Sequence, residues 1–586
     1  MSPRQKLTLL FNELFKSVGS APSFGDVKLS DRPDLADFQC NGAMQASKAQ
    51  KQNPRILAES IKELAEKTTQ DYDFSLAGPG FINISLKDTL ILKYINALSK
   101  DPQLGFEKPI KSEKIIIDYG GQNIAKPMHV GHLRSSVIGQ SLKYLLRFMG
   151  HDVIGDIHMG DWGTQMGMLI IAIEEKWPDL PYFDIAFQGD YPKTSPVNLQ
   201  DLDIIYPDIS GRCKENKELA EKARLATFEL QSGRRGYKAL WQHFVDISVA
   251  DIKVDLDILG VNFEQWFGES RYQQMAENLI QDFESRKVAY VSDGALIIDV
   301  AKENDKTEIP PLLLRKKDGG LIYASTDLAC IQERIDVFKA DRILYVVDQR
   351  QALHFEQVFR AANSSGLLKE SSCKHLGFGT VNGPDGKPFK TRVGGAMKLK
   401  ELIQTLIQEA KNRLHEEGIA ENLPEDEFND IAQKVAMATL KFGDLQHDRV
   451  HDYIFDIAKF SRFEGKTGPY LLYAAVRIKS LLKQAENKDF VSSPLKDINP
   501  STRALSLLLL QFPDSIEHAA DRYLPSVLCE YAYQLAKEFS RFYTNCHILS
   551  EENSDIRGGY LMLTHLTLKV LETTLSILGI EAPERM

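Results

Sequence analysis

The stretch KIIIDYGGQNIAKPMHVGHLRSSVIGQSLKYLLRFMG, residues 114–150, contains the pattern that decides the fold. A β-branched run at 114–119 is followed by a loop with two glycines and then by apolar residues at helical spacing up to Gly150. A second strand pattern, HDVIGDI, begins at residue 151. A strand, a crossover helix and a strand form a βαβ unit with parallel strands. The loop after the first strand should therefore lie at the carboxyl edge of a parallel sheet.

The same alternation returns later in the chain. The strand pattern RILYVV at 342–347 precedes a helical segment near Gln351, and KHLGFGTV at 374–381 follows it. We predict that residues 107–424 form a doubly wound, Rossmann-type α/β catalytic domain. Between its two halves, residues 176–285 show helical patterns and are predicted to be an insertion without assigned chemistry.

The two ends of the chain predict different structures. Residues 1–106 mix helical patterns with the strand-like FINISL at 81–86, which indicates an α+β domain. Residues 425–586 contain amphipathic helical patterns such as EYAYQLAKEFSRFYTNC at 530–546, which indicate an all-α helical bundle. The sequence therefore predicts a multidomain protein.

Length and composition limit the function classes. A chain of 586 residues is too long for one hydrophobic core. The longest apolar run, LSLLLLQF, is far shorter than the ~20 residues of a membrane helix, and the first 20 residues lack the apolar region of a secretory signal. We expect a cytoplasmic protein with no membrane partner. The six cysteines lie far apart and predict neither disulfides nor a cysteine zinc site.

His129 and His132 stand at the predicted start of the crossover helix. Unpaired N–H groups and a partial positive charge make such a helix start attract phosphate. The two histidines share one face and can donate to the same phosphate, while Gly131 lacks a Cβ and Lys126 adds a point charge. Donors fixed around a phosphate stabilise a pentacoordinate transition state. The alternative is that the histidines cap the helix or satisfy polar groups in the core.

Several motifs carry a family resemblance. NIAKPMHVGHLRSSVIG, GDWGTQMG at 160–167, KPFKTRVGG at 387–395, AGPGFINISL and RFYTNC occur in the expected order. Together they resemble arginyl-tRNA synthetases, a class I aminoacyl-tRNA synthetase family. The resemblance implies that arginine is activated by ATP, accompanied by Mg²⁺, and then passes to the 3′-terminal adenosine of arginine tRNA. It also implies a monomer.

The resemblance assigns the ATP site. His129-Val130-Gly131-His132 matches the first class I signature, and KPFKTR replaces the usual lysine, methionine, serine, lysine pattern of the second. This departure leaves open whether Lys387, Lys390 or Arg392 reaches the pyrophosphate. Lys126 occupies the position of a lysine thought to compensate. The implied catalytic residues are His129, His132, Lys126 and Lys390, and the implied ATP-binding residues are Gly131, His129, His132, Lys387 and Arg392.

Arginine is a planar cation, so its recognition requires an acidic pocket. LIYASTDLACI places Tyr323 and Asp327 four residues apart at a predicted strand-to-helix junction and resembles the family segment that holds the guanidinium. Asp118, Asn123 and Gln351 complete the implied arginine site. Alternatively, Asp327 caps the helix and Tyr323 belongs to the core. A guanidinium pocket rejects neutral amino acids, so no editing domain is expected.

The tRNA contacts are predicted in both end domains. GKTGPYLLYAAVRIKSLL at 465–482 joins Tyr470 and Tyr473 to Arg477, and aromatic side chains beside cations suit unpaired bases. The family's anticodon-binding helical domain resembles this region, although tyrosines at helical spacing are commonly core residues. In the N-terminal domain, ADFQCNGAM resembles the region that contacts the corner of the tRNA, which implies Phe38 and Gln39.

Other functions compete with this interpretation. HDRVH at 447–451 is similar to the H-E-x-x-H zinc helix, but Asp448 stands where the general base should be. GKT at 465–467 lacks the glycine of a P-loop. A class I ligase for another carboxylic acid would not need the two end domains. A non-catalytic tRNA-binding paralogue is the remaining alternative.

Overall fold

A computed structural model describes residues 2–317, 319–383, 385–387, 389, 397–420 and 423–586. The chain forms two compact units. The first unit combines Met1–Ile110, Arg413–Ala438 and Arg462–Met586, and the second combines Lys111–Asn412 and Thr439–Ser461. Among the described residues, no helix has the length and apolar character needed to cross a bilayer.

The N-terminal segment of the first unit is an antiparallel sheet with helices, which confirms the predicted α+β class. Its strands lie in the order β1-β2-β4-β3. The predicted strand FINISL is observed with the same bounds as β4. The elements are α1 (Pro3–Ser17), β1 (Val27–Leu29), β2 (Phe38–Cys40), α2 (Gly42–Gln50), α3 (Pro54–Thr68), β3 (Tyr72–Ala77), β4 (Phe81–Leu86) and α4 (Asp88–Leu98).

The second unit contains the doubly wound fold that the sequence predicts. Its helices and strands, in chain order, are β5 (Lys114–Asp118), α5 (Leu133–Phe148), β6 (Asp152–Met159), α6 (Thr164–Lys176), α7 (Leu199–Glu215), α8 (Lys217–Gln231), α9 (Arg235–Ile258), β7 (Gln265–Gly268), α10 (Gln273–Ser285), β8 (Tyr290–Ser292), β9 (Ala295–Ile298), β10 (Leu312–Arg315), α11 (Tyr323–Asp336), β11 (Arg342–Tyr345), α12 (Ala352–Ser364), β12 (Ser372–His375), β13 (Val381–Asn382) and α13 (Leu399–Glu416).

The main sheet of this unit has five parallel strands in the order β12-β11-β5-β6-β7. Read from β7 and numbered along the chain, this order is 3-2-1-4-5, which is the doubly wound arrangement. The three isoleucines of β5 are fully buried, as expected for a central strand with both faces covered. The order reverses between β5 and β11, and ligands bind at such a switch point outside the carboxyl ends of the strands.

The insertion is shorter than the predicted 176–285. Helices α7, α8 and α9 form it, whereas β7 belongs to the main sheet and α10 packs with α11 in the sheet-covering core. Because β7 has only four residues, all of them partly buried, it shows no alternating pattern. Strands β8–β10 form a separate antiparallel sheet, whose buried residues join the core under α11.

The C-terminal region is helical, which confirms the predicted class. Its elements are α14 (Glu425–Leu445), β14 (Tyr453–Ile454), α15 (Ile457–Phe460), α16 (Gly468–Glu486), α17 (Pro500–Leu509), α18 (Phe512–Arg522), α19 (Ser526–Cys546) and α20 (Ser554–Ile577). The predicted boundary at 425 differs from the structure, because residues 439–461 belong to the second unit, where β14 pairs with β13.

The C-terminal helices and the N-terminal segment share the first unit. Arg503 of α17 donates to both carboxylate oxygens of Asp37 at 2.9 Å and to the carbonyl of Leu86 at 2.9 Å. The Asn96 side chain of α4 pairs with the backbone of Leu495 in both directions, at 2.8 and 2.9 Å. The two predicted end domains therefore pack as one body.

Candidate active site

His129 and His132 lie between β5 and α5, at the switch point of the parallel sheet. A 3₁₀ turn, Val130–His132, precedes α5. The His129 Nδ1 accepts a hydrogen bond from the Gly131 N–H at 3.0 Å, and the His132 Nδ1 accepts one from the His129 N–H at 3.2 Å. The two rings stack with centroids 3.9 Å apart. This arrangement fixes both imidazoles before any ligand binds.

The protonation state of the pair follows from these bonds. Because each Nδ1 accepts a hydrogen bond, a neutral ring carries its proton on Nε2. Burial, followed by the charge of Lys126, lowers the pKa of His129. Burial, followed by His129 and Lys126, lowers the pKa of His132 to about 3. Both rings are therefore neutral at neutral pH, and each has an Nε2–H without an acceptor among the described residues.

Gly131 is required here for a reason that the sequence did not suggest. A Cβ at this position would lie 2.7 Å from the His129 ring. Such a contact is far inside the van der Waals distance, so a side chain would displace the imidazole. The glycine makes room for the histidine ring.

Helix α5 is held against the strand ends. The Ser135 hydroxyl accepts from the Gly120 N–H at 2.7 Å and donates to the Val346 carbonyl at 2.6 Å. The preceding residue, Arg134, is buried, and its guanidinium forms an ion pair with the buried Asp444 at 3.0 Å. These contacts fix the position of the turn that carries the two histidines.

A cavity of about 540 Å³ opens at the carboxyl ends of β5 and β11. Its walls include the two glycines after β5 and the segment 378–381. The opening is therefore at the edge of the sheet that the βαβ pattern indicates. Six of the sequence-predicted residues line this cavity, namely Asp118, Asn123, His129, Gly131, His132 and Gln351.

Among the described residues, none of the other predicted ATP-site residues is found in the lining of this cavity. The Lys126 Nζ lies 4.5 Å from the centre of the Tyr206 ring, on helix α7. Lys387 is exposed, and its N–H donates to the Asp385 carboxylate at 3.1 Å. Neither lysine lines the cavity. Lys390 and Arg392 lie outside the described residues.

Asp118, at the end of β5, already has a cationic partner. The Arg334 Nη2 donates to Asp118 at 2.6 Å and to Asp156, on the neighbouring strand β6, at 2.5 Å. Arg334 is fully buried and lies on α11. A guanidinium can bridge two carboxylates because its donors form a planar fork. Arg334 therefore fixes the orientation of the Asp118 side chain.

Asp327 and Tyr323 lie one turn apart on α11. The Asp327 carboxylate accepts a hydrogen bond from the His354 Nε2 at 2.6 Å, and this contact raises the pKa of His354 against the opposing effect of burial. Tyr323 is 64% exposed and begins the helix. The alternatives of a core tyrosine and a capping aspartate are thereby excluded, because the N-cap residue is Ile322.

A second cavity, of about 830 Å³, lies beside Tyr323. Trp162, Phe228 and Glu269 also line it. Burial, followed by the charges of Asp161 and Asp327, raises the pKa of Glu269 to about 8. Among the described residues, its carboxyl group has no ion-pair partner. Glu269 therefore lies near two other carboxyl groups, those of Asp161 and Asp327.

An aromatic and cationic surface lies on α16 and α19 of the first unit. Tyr470, Tyr473 and Arg477 follow one face of α16. Tyr473 and Arg477 are exposed, and the Arg477 guanidinium lies 4.2 Å from the centre of the Tyr543 ring. The Tyr470 ring meets the edge of Tyr533. We call these five residues the α16 surface.

Comparisons with known proteins agree along the whole chain. The model described as "tRNA synthetases class I (R), catalytic domain" matches residues 93–457, "DALR anticodon binding domain" matches 471–586, and "Arginyl tRNA synthetase N terminal domain" matches 6–86. An arginine–tRNA ligase of Alkaliphilus oremlandii is 45% identical, with 99% of each chain covered. The chain belongs to the arginyl-tRNA synthetase family.

Other members of the arginyl-tRNA synthetase family support the same assignment. An arginine–tRNA ligase of Francisella tularensis subsp. novicida is 44% identical, with 98% of each chain covered. The crystal structure of a Plasmodium falciparum arginyl-tRNA synthetase has a TM-score of 0.80 and 26% identity, covering 100% of this chain and 99% of its own. A Thermus thermophilus member shares the fold, with a TM-score of 0.80 at 20% identity and full coverage of both chains.

One predicted tRNA contact of this synthetase family member is wrong. Phe38 is 3% exposed and packs in the core of the N-terminal segment. Gln39 is only partly buried, and its side chain donates to Asn83 at 2.8 Å. Neighbouring residues of a strand point to opposite faces, so Phe38 and Gln39 cannot both face an RNA.

The competing motifs have structural explanations. HDRVH follows α14 instead of lying within a helix, and His447 stacks on Tyr453 with ring centroids 4.5 Å apart. Within the described ranges, no group of three or more His, Cys, Asp or Glu side chains could hold a metal ion. In GKT, Thr467 is the N-cap of α16, and its side chain accepts from the Tyr470 N–H.

Sequence reasoning missed Arg334, His354 and Glu269. Arg334 carried no usable signal, because its partners are 216 and 178 residues away in the chain. His354 is three residues after Gln351, so helical spacing could have placed it in the site. Glu269 directly follows β7, and the carboxyl ends of parallel strands are where binding residues concentrate.

Proposed function

We infer that this chain activates L-arginine with ATP to arginyl-adenylate and then transfers the arginyl group to the 3′-terminal adenosine of arginine tRNA. Family membership over the full chain supports this reaction. The observation that carries the proposal is the pair of neutral, fixed histidines facing a cavity that also contains Asp118. An anion and a cation could bind there side by side, as the condensation of ATP with arginine requires.

We propose that His129 and His132 donate their Nε2–H groups to the ATP phosphates. The donors are neutral and already oriented, so they need no reorganisation when charge develops in the pentacoordinate transition state. Gly131 supports this geometry by leaving space for the His129 ring. Lys126 supplies a positive charge next to the pair. One of Lys387, Lys390 and Arg392 is proposed to reach the pyrophosphate.

We propose that ATP enters with Mg²⁺, because phosphate oxygens are ligands that this ion prefers. When bound, the ion would neutralise charge on the phosphates. The carboxylate of arginine attacks the α-phosphate, the new bond forms a mixed anhydride, and pyrophosphate leaves with the electron pair of the broken P–O bond. No covalent enzyme intermediate is needed.

The arginine side chain is proposed to bind between Asp118 and Asp327, with Tyr323 and Gln351 completing the site. A carboxylate can accept two parallel N–H bonds from a guanidinium, which a lysine ammonium cannot reproduce. Asn123 is proposed to bind the α-ammonium or carboxylate group. Its side chain fits tightly against residue 160, where a Cβ would lie 2.3 Å from the Asn123 Oδ1.

The α16 surface is proposed to bind unpaired bases of the tRNA anticodon loop. Exposed tyrosine rings can stack on bases, and Arg477 can meet phosphate or base. The match of residues 471–586 to an anticodon-binding domain supports this placement. Gln39 is retained as a contact to the corner of the tRNA. A cytoplasmic enzyme is proposed because arginine tRNA is charged where translation takes place, and a monomer is proposed because the family resemblance implies one.

The decisive experiment is arginine-dependent exchange of labelled pyrophosphate into ATP, with and without arginine tRNA. We expect exchange with arginine and none with lysine, since the site is proposed to read a planar cation. Exchange that appears only with tRNA would add that activation depends on tRNA. Folded protein that gives no exchange under either condition would contradict the proposed function.

A further inference from the structure

Helix α7 of the insertion contacts two lysines from distant parts of the chain. The Tyr206 ring lies under the Lys126 ammonium, with 4.5 Å between Nζ and the ring centre. The Asp203 carboxylate accepts from the Lys398 Nζ at 2.7 Å. Asp203 and Tyr206 are three residues apart and therefore share one face of α7. The same helix face thus meets both lysines.

The two lysines belong to segments that pair through their backbones. The Val130 N–H donates to the Met397 carbonyl at 3.0 Å, and the Leu399 N–H donates to the Met128 carbonyl at 2.9 Å. Lys398 lies directly opposite His129 in this pairing. Lys126 precedes the histidine pair, and Lys398 follows the KPFKTR segment. Helix α7 is therefore attached on both sides of the backbone pairing between residues 128–130 and 397–399.

The insertion also holds the backbone next to Lys126. Ser248 of α9 is 1% exposed, and its hydroxyl accepts from the Ala125 N–H at 2.9 Å. Ala125 has a φ of +63°, a left-handed conformation that is unfavourable for a residue with a Cβ. The hydrogen bond that Ala125 donates to a buried acceptor favours this conformation. The backbone before Lys126 is thus fixed by α9, while its side chain is fixed by α7.

The Tyr206 ring can hold the Lys126 ammonium in place without neutralising its charge. A lysine side chain has four rotatable bonds, and no described carboxylate forms an ion pair with Lys126. A carboxylate partner would neutralise the ammonium and compete with phosphate. The face of a tyrosine ring attracts the ammonium but leaves its charge and its three donors available.

We propose that Tyr206 is a positioning residue for the adenylation step, holding Lys126 beside the histidine pair, and that Asp203 supports it by fixing Lys398. The insertion would then contribute to catalysis without contacting the reacting atoms. This inference rests on the proposed function, in which Lys126 contacts the ATP phosphates. It predicts that the aromatic ring matters and that the tyrosine hydroxyl does not.

The test uses the full-length chain with arginine tRNA present. Tyr206→Leu removes the ring, Tyr206→Phe keeps it, and Ile204→Ala is the matched control at a 72% exposed position of the same helix. We expect Tyr206→Leu to lower kcat/KM for ATP in pyrophosphate exchange about fivefold, the scale of a cation–π contact. Tyr206→Phe and Ile204→Ala should stay within about twofold of wild type.

Two further measurements separate positioning from a general structural effect. The KM for arginine, and transfer to tRNA from chemically prepared arginyl-adenylate, should be unchanged in Tyr206→Leu. In a Lys126→Met background, Tyr206→Leu should cause no additional loss, because the partner of the ring is gone. Equal loss of the ATP and arginine parameters, or equal loss in the Phe and Leu variants, would overturn the inference.

Failure of the inference can be told apart from failure of the proposed function. Wild-type protein that does not exchange pyrophosphate contradicts the proposed function itself. Wild-type protein that exchanges normally, together with a Tyr206→Leu variant that retains its kcat/KM for ATP, contradicts only the role of Tyr206. If Tyr206→Leu does not fold, Tyr206→Met supplies the same comparison with an unbranched side chain.

Discussion

The nucleotide side and the amino-acid side of the candidate site hold their polar groups in opposite ways. His129 and His132 are neutral, and their Nε2–H donors have no acceptor among the described residues. Asp118 and Asp327, in contrast, already pair with Arg334 and His354. The two histidines are only partly buried and line the cavity, so their neutral donors can meet water, whereas a buried carboxylate needs a cation. We therefore expect stability to depend on the acidic side and rate on the histidine side.

The largest expected effect tests the acidic side. Arg334→Met leaves Asp118 and Asp156 without their shared cation, and loss of one partner of a buried pair costs about 3–5 kcal/mol of the free energy of unfolding. Denaturant unfolding of the full chain measures it. Arg350→Met is the control, since Arg350 pairs with Asp348 but is 81% exposed, and it should cost at most about 1 kcal/mol. Similar losses in the two variants would contradict the asymmetry.

The next effect tests the histidine side. His132→Asn keeps an acceptor near the His129 N–H but lacks the Nε2–H donor, so kcat for pyrophosphate exchange should fall by about 10²–10³. The unfolding free energy should change much less than in Arg334→Met. The exposed His518 of α18 provides the control variant, His518→Asn. A His132→Asn variant that exchanges pyrophosphate at the normal rate but has a much lower free energy of unfolding would contradict the division into a stability side and a rate side.

A smaller effect separates the two substrates. Asp327→Asn removes one charge from the proposed guanidinium site, and a hydrogen bond to a charged group contributes about 1.5–3 kcal/mol, or roughly 10–150-fold in KM for arginine. The KM for ATP should stay within about twofold. Steady-state exchange with each substrate varied in turn measures both. An equal rise in both constants would show that Asp327 supports the whole cleft.

The smallest effect is a pH dependence. The pKa of His354 is raised from 6.5 by Asp327, so the ring stays protonated somewhat above that pH and loses its proton as the pH rises further. If Asp327 binds the arginine guanidinium as proposed, protonated His354 competes with the substrate for this carboxylate. The KM for arginine should therefore fall about threefold as pH rises through this pKa, a size typical of a partly exposed pair. In His354→Asn, the KM for arginine should no longer change with pH over this range. The KM for ATP is the control and should not depend on pH in either protein.

The parts of the site that the sequence predicted are local in the chain. The run KIIID, the following glycines and the i, i+3 histidines fall within 20 residues, and their spacing alone placed them at the edge of a parallel sheet. The burial that keeps both histidines neutral depends on side-chain packing, as does the stacking of their rings, and neither has a sequence signal. Arg334 and Asp118 meet only after the sheet has formed.

Three errors have simple physical causes. The four-residue strand β7 was included in the insertion because a short, half-buried strand has no alternating pattern. Phe38 was assigned to the tRNA, although the strand it shares with Gln39 turns it into the core. The domain boundary at 425 was misplaced because residues 439–461 return to the second unit after a long helix, and helical periodicity does not reveal where a helix packs.

Arg334 links the accuracy of this enzyme to its own synthesis. The residue that holds Asp118 and Asp156 together is itself an arginine, and each new copy of the chain receives it from arginyl-tRNA made by earlier copies. A lysine inserted there by mistranslation would offer a single point charge instead of a planar fork. Copies produced during a period of mischarging would then hold Asp118, a residue of the proposed guanidinium site, less firmly. An error in charging would be passed on to the next generation of enzyme molecules.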